Sequence, residues 1–116
     1  MFNASHKDFA CLLNIIESID KIKRYANSYP DADSLYEDSK TFDAVLMNFI
    51  VRGEMAEKLT DSFRLSTELQ IDWIKIRSFR NIIAHNYFGV DAEEVWQIIE
   101  NSLPDLEVKI KHILNN

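Results

Sequence analysis

Residues 42–56 read FDAVLMNFIVRGEMA, and this stretch decides the fold. Phe42, Val45, Leu46, Phe49, Ile50, Gly53 and Ala56 recur at three- and four-residue steps, which places them on one stripe of a helix. The spacing predicts a helix over about residues 41–63. Gly53 in mid-helix costs about 1 kcal/mol against alanine, and close packing against a neighbouring helix is the expected reason for it. Composition agrees with this reading. The 116 residues hold two Gly and two Pro, where average usage gives roughly 14 together. A sheet needs many tight turns and turns need those residues, so a few long helices joined by short loops are expected.

The flanking segments extend the pattern. A first helix is expected over about residues 5–26, with Ser5 and Asp8 as a capping box and Phe9, Leu12, Leu13, Ile16 and Ile19 on one face. Residues 27–40 carry Pro30 and the carboxylates Asp31, Asp33, Glu37 and Asp38, with few aliphatics. They read as a solvated connection with room for a turn of helix after Ser34. A third helix is expected from near Thr67, with Gln70 completing a Thr-x-x-Gln cap, to about residue 84 or 87, and Gly89 marks its end or the loop beyond. Asp91 and Glu94 make another cap signature ahead of Val95, Ile98 and Ile99. Pro104 suits the first turn of a last helix behind the cap candidate Ser102, with Leu106, Ile110 and Ile113 inward. The expected fold is all-α: one domain over residues 1–116, an antiparallel four-helix up-and-down bundle whose last helix is broken near Pro104.

Hydrophobic residues make up 47% and charged residues 28% of the chain, enough for a packed core. No apolar run approaches the roughly 20 residues that span a bilayer. Residues 1–9 read as polar helix entry and not as a leader. The single Cys11 excludes an internal disulfide and reads as a small buried hydrophobe. A soluble, cytoplasmic protein with no membrane association is the resulting expectation.

Net charge is −6, a poor starting point for binding nucleic acid. Its distribution is uneven. Residues 73–90 hold no carboxylate, while Lys75, Arg77 and Arg80 give the window +3, so the remaining chain carries −9. A basic island on an acidic body attracts a phosphate locally and discourages indiscriminate binding. Lys75 and Arg77 are either phosphate contacts or solvated positions paired with acids such as Asp72.

Inside this island stands Arg77-Ser78-Phe79-Arg80-Asn81-Ile82-Ile83-Ala84-His85-Asn86-Tyr87. On an ideal helix Arg80, Ala84 and Tyr87 share a face, and His85 falls about 140° round from Arg80. Arg80 and His85 therefore converge only if the helix ends or distorts near His85, or if a second copy of the chain supplies one of them. Metal-free RNA cleavage needs a base that takes the proton of a ribose 2′-hydroxyl, and imidazole suits that work near neutral pH. The phosphorane gathers negative charge, which a guanidinium stabilises. A tyrosine beside them can orient the phosphate or be modified itself. No acidic cluster or multi-histidine spacing suggests Mg²⁺ or Zn²⁺, so no metal or other cofactor is expected. Read as a pattern alone, Arg-x4-His also fits two side chains capping the end of the third helix.

At these residues the chain resembles the HepT family of the HEPN ribonuclease superfamily, whose hallmark is Arg, four to six residues, then His, with a tyrosine two residues later. Arg80, His85 and Tyr87 match it, as does the supporting Asn81. Residues 42–46, 53–56, Trp73, 87–91, Val95-Trp96 and 103–106 also fall where the family has like residues. The resemblance implies a helical bundle that forms a homodimer with both Arg/His motifs at one cleft. It implies a metal-independent endoribonuclease with Arg80 and His85 catalytic, toxic unless restrained. The implied partner is a minimal nucleotidyltransferase antitoxin of the MntA type, in a hetero-oligomer, that transfers AMP onto Tyr87. The alternative is a non-catalytic helical module that binds such a nucleotidyltransferase. Trp73 and Trp96 are expected as core or dimer-interface anchors; Glu54 is left without an assigned role.

Overall fold

A computed structural model of the chain describes residues 4–115; residues 1–3 of the expected helix entry lie outside them. All the regular secondary structure of the described residues is helical, with no strand among them. Four long arms make the bundle: α1 (His6–Ala26), α3 (Ser39–Lys58), α5 (Trp73–His85) and a composite of α6 (Ala92–Gln97) with α7 (Leu103–Leu114). Two short helices, α2 (Ala32–Glu37) and α4 (Asp61–Thr67), occupy the connections. The central helix is α3, which packs between α1 and α5, while α1 also packs on α7 and α2 on both α3 and α6.

The capping box forms as expected. Ser5 accepts from the Asp8 N–H at 3.1 Å, and the Asp8 carboxylate accepts from the Ser5 N–H at 3.0 Å. The inward stripe of α1 is Leu12, Ile15, Ile19 and Ile22, all fully buried, with Cys11 beside it. Phe9 and Leu13, expected on that face, are instead exposed. Residues 27–40 are more ordered than a solvated connection. Asp31 and Ser34 cap α2 reciprocally, so the helix opens before Ser34, and it buries Ala32 and Leu35.

Three expected boundaries move, the first two because another group satisfies the backbone. The helix expected over residues 41–63 ends at Lys58, with Leu59 extended. Asp8 takes the Thr60 N–H at 2.7 Å and its hydroxyl at 2.8 Å, and Thr60 in turn caps α4. The third helix starts at Trp73 and not near Thr67, because Asp72 accepts the Lys75 N–H at 2.9 Å and supplies the cap. Thr67 closes α4, donates to the Phe63 carbonyl and accepts the Trp73 indole N–H at 2.8 Å, which makes Trp73 a core anchor. Ser102 is no cap: it has helical dihedrals and no capping bond. Residues 98–102 form a π-helical turn that joins α6 to α7 without a break. A proline inside an α-helix clashes with the carbonyl four residues back and lacks a donor; the widened turn ahead of Pro104 accommodates both.

Candidate functional site

The orientation of α5 follows from its apolar positions. Trp73, Ile76, Phe79 and Ile83 are buried, and Phe79 meets Phe49 of α3 edge-on at 5.3 Å between ring centroids. This contact turns the neighbouring Arg80 toward α3 as well. A β-carbon on Gly53 would lie 2.2 Å from Arg80 Cβ, so glycine is what lets the arginine stem cross α3 there.

Arg80 is 9% exposed, and its guanidinium forks onto two carboxylates of α3. Nη1 donates to Glu54, and Nη2 donates to Glu57 at 2.8 Å. The bond to Glu57 holds the guanidinium above its ordinary pKa; burial opposes this, and Glu54 adds to the rise. The same bond and the arginine's charge hold the Glu57 carboxyl below the usual range. Nε is buried without a hydrogen-bond partner.

His85 is the last residue of α5 and is exposed. Its imidazole makes no hydrogen bond or ion pair with the described residues. Helical geometry persists through His85, so Arg80 and His85 stay on different faces of α5 within one chain. Tyr87 opens a 3-10 turn, Tyr87–Gly89, beyond the helix. Its hydroxyl donates to Asp43 Oδ1 at 2.5 Å, not to anything near Arg80. Burial, and then the bond to Asp43 and its charge, push the Tyr87 hydroxyl up to about 12. Next to it, Phe88 is 99% exposed, its ring edge-on to Tyr87. Asn81 and Lys75 are exposed and Arg77 is half-buried, and none of the three makes a side-chain hydrogen bond or ion pair among the described residues. Of the two alternatives for Lys75 and Arg77, pairing with Asp72 does not form among the described residues; that carboxylate accepts from the Lys75 backbone N–H.

The sequence reading missed three groups. Glu57 and Asp43 are the partners of Arg80 and Tyr87, and nothing in local spacing announces either contact. Arg52 is 4% exposed, with its guanidinium carbon 4.9 Å from the Phe49 ring centroid. Its position three residues after Phe49, inside the apolar stripe, is the signal that marks it. Among the described residues no three His, Cys, Asp or Glu side chains are placed to hold a metal ion together.

Comparison with known proteins places this geometry in context. The family model described as "Ribonuclease HepT-like" matches residues 15–113. The "Probable ribonuclease HepT" of Thermococcus cleftensis is 32% identical over 110 residues, covering 94% of this chain and 96% of its own. A Methanocaldococcus jannaschii protein named "Putative RNase" is 29% identical, over 92% of this chain and 87% of its own. No solved structure gives a significant match.

Proposed function

We propose, because the chain belongs to the HepT-like ribonuclease family, that it is a metal-independent endoribonuclease and the toxin of a HepT/MntA-type pair. The observation that carries this reading is His85: an exposed imidazole without a partner among the described residues, at the end of a helix in a stretch free of carboxylates. In this mechanism His85 takes the proton of a ribose 2′-hydroxyl. The 2′-oxygen bonds to the adjacent phosphorus, the bond to the 5′-oxygen breaks, and that oxygen takes a proton from water as it leaves. The products are a 2′,3′-cyclic phosphate and a 5′-hydroxyl.

Arg80 is the phosphate and transition-state clamp in this reading, with Asn81 supporting it and Lys75 and Arg77 adding phosphate affinity. Two carboxylates already hold the Arg80 guanidinium, but Glu54 and Glu57 are about half exposed, at 46% and 52% of their side chains. They can swing into solvent and hand the fork to an RNA phosphate. Because Arg80 and His85 diverge on one helix, a homodimer that faces two copies of α5 across a cleft is part of the proposal.

Tyr87 is the proposed site of restraint by a minimal nucleotidyltransferase. Attack of its oxygen on the α-phosphorus of ATP forms the phosphodiester and expels pyrophosphate, while the hydroxyl proton leaves toward Asp43, its hydrogen-bond acceptor. The added phosphate would then compete with RNA for the cations of the site.

A second reading has its own support. The double engagement of Arg80 by Glu54 and Glu57 suits a non-catalytic helical module that binds a nucleotidyltransferase. RNA degradation by purified protein decides between them when H85A and R80A are run beside the unmodified chain. Loss of cleavage in both variants supports the ribonuclease; equal activity in all three contradicts it. Toxicity on expression without the partner, and a mass increase on Tyr87 with partner and ATP, test the toxin and its restraint.

A further inference from the structure

Among the buried charged residues of the described chain, Asp8 and Arg80 are compensated by hydrogen bonds or ion pairs, and Arg52 is not. Among the described residues no carboxylate reaches it; its Nε is buried without a hydrogen-bond partner, and its guanidinium lies over the Phe49 ring. Burial lowers its pKa to about 10, which leaves it a cation at neutral pH. An uncompensated charge in a protein interior is costly, and natural chains keep such groups where something else compensates them.

Arg52 lines a cavity of about 610 Å³ between α3, α5 and the α6–α7 arm. That volume is far larger than an inorganic anion needs and lies within the range of small-molecule sites. Ile76, Phe79, Ile98 and Leu106 give it an apolar wall, and Lys75 and Ser78 lie on its α5 side. The carboxylates Glu68, Asp72, Glu94 and Asp105 also border it, all on exposed residues. Asp72 is engaged by the Lys75 N–H, and Asp105 pairs with Lys109 at 2.9 Å. Water screens charges at an exposed rim and does little for a buried one, so Arg52 sets the preference at the floor. On α5, Ser78 and His85 stand about 20° apart in helical angle and two turns apart along the axis. The cavity's α5 lining ends at Ile82, and His85 lies on the same side of the helix beyond it.

We propose that this cavity binds a nucleotide, with its phosphate on Arg52 and its base and sugar along the apolar wall. The phosphate belongs either to an RNA chain or to a free mononucleotide. The proposal stands apart from RNA cleavage, because binding is measured in protein that lacks His85.

The experiment is calorimetric titration of H85A protein with AMP, with adenosine, and with a 2′-O-methyl RNA tetranucleotide, which cannot be cleaved. AMP is expected to bind at least tenfold more tightly than adenosine. Arg52→Met, which keeps the volume of the side chain, is expected to weaken AMP at least tenfold while raising the melting temperature. Ser78→Asp, at an exposed helical position, provides a second variant with the same expected loss should R52M fold poorly. Binding of the tetranucleotide identifies RNA as the source of the phosphate, and binding of AMP alone identifies the free nucleotide. The proposal is overturned if adenosine matches AMP, or if AMP affinity changes less than twofold in both variants. It is also overturned if the unmodified chain forms a dimer that R52M dissociates, since a partner's carboxylate would then occupy Arg52.

Discussion

Gly53 and Arg80 touch where α3 crosses α5, at a separation that leaves no room for even one extra carbon: a β-carbon at 53 would lie 2.2 Å from Arg80 Cβ. The glycine thus serves a contact with the arginine of the proposed site. Alanine is the better helix former by about 1 kcal/mol, but overpacking a tight contact costs about 1–3 kcal/mol. Gly53→Ala is therefore expected to lower the urea midpoint and to weaken any RNA cleavage. A midpoint above that of the unmodified chain contradicts this contact.

The ion triad of Arg80, Glu54 and Glu57 is asymmetric. Its cation is nearly buried, at 10% side-chain exposure, whereas its carboxylates are about half exposed, at 46% and 52%. Removing both carboxylates strands a buried charge, which costs about 3–5 kcal/mol. Removing the arginine leaves two carboxylates that water can solvate. The double variant E54A/E57A is expected to lose more stability than R80M in urea unfolding. The reverse order argues against a buried guanidinium.

Asp8 makes stability depend on acidity. Burial pushes its carboxyl up, but hydrogen bonds from Ser5 and Thr60 outweigh burial and hold it below the ordinary value. A group whose folded pKa is depressed contributes stability above its unfolded value, about 3.9 for Asp, and loses it as pH falls through the folded value. Stability is expected to decline below about pH 4, and Asp8→Asn is expected to remove part of that decline. Identical acid profiles by thermal melting contradict the assignment.

These elements show what local sequence can and cannot carry. The Ser5–Asp8 capping box and the close packing at Gly53 were legible, since a cap spans three residues and a mid-helix glycine asks for a neighbour. The end of α3 at Lys58 was not, because the bond that stops it joins Thr60 to Asp8, 52 residues away. Pro104 reads as a break, yet the π-helical turn before it keeps the helix continuous, and that turn has no marker of its own. At the candidate site, Arg80, His85 and Tyr87 stood out by type and spacing. What holds Arg80 and Tyr87 did not, because Glu57 and Asp43 lie on another helix at separations of 23 and 44 residues.

Tyr87 is expected to titrate late. Its hydroxyl is held up to about 12, first by burial and then by Asp43, so it stays neutral across the physiological range. Ultraviolet titration of the four tyrosines should show a late component that disappears in Y87F. In D43N this component should move toward the ordinary value near 10 without reaching it, because burial remains. A late component that survives in Y87F assigns the shift to another tyrosine.

The central claim is that His85 drives attack by a ribose 2′-hydroxyl, and the termini of the cleaved RNA report on it most directly. RNA is incubated with purified protein in EDTA, and the fragments are identified by mass spectrometry beside an H85A control. Fragments ending in 2′,3′-cyclic phosphate and 5′-hydroxyl, absent with H85A, are the predicted result. Fragments ending in 3′-hydroxyl and 5′-phosphate, or the same fragments from H85A, would contradict it.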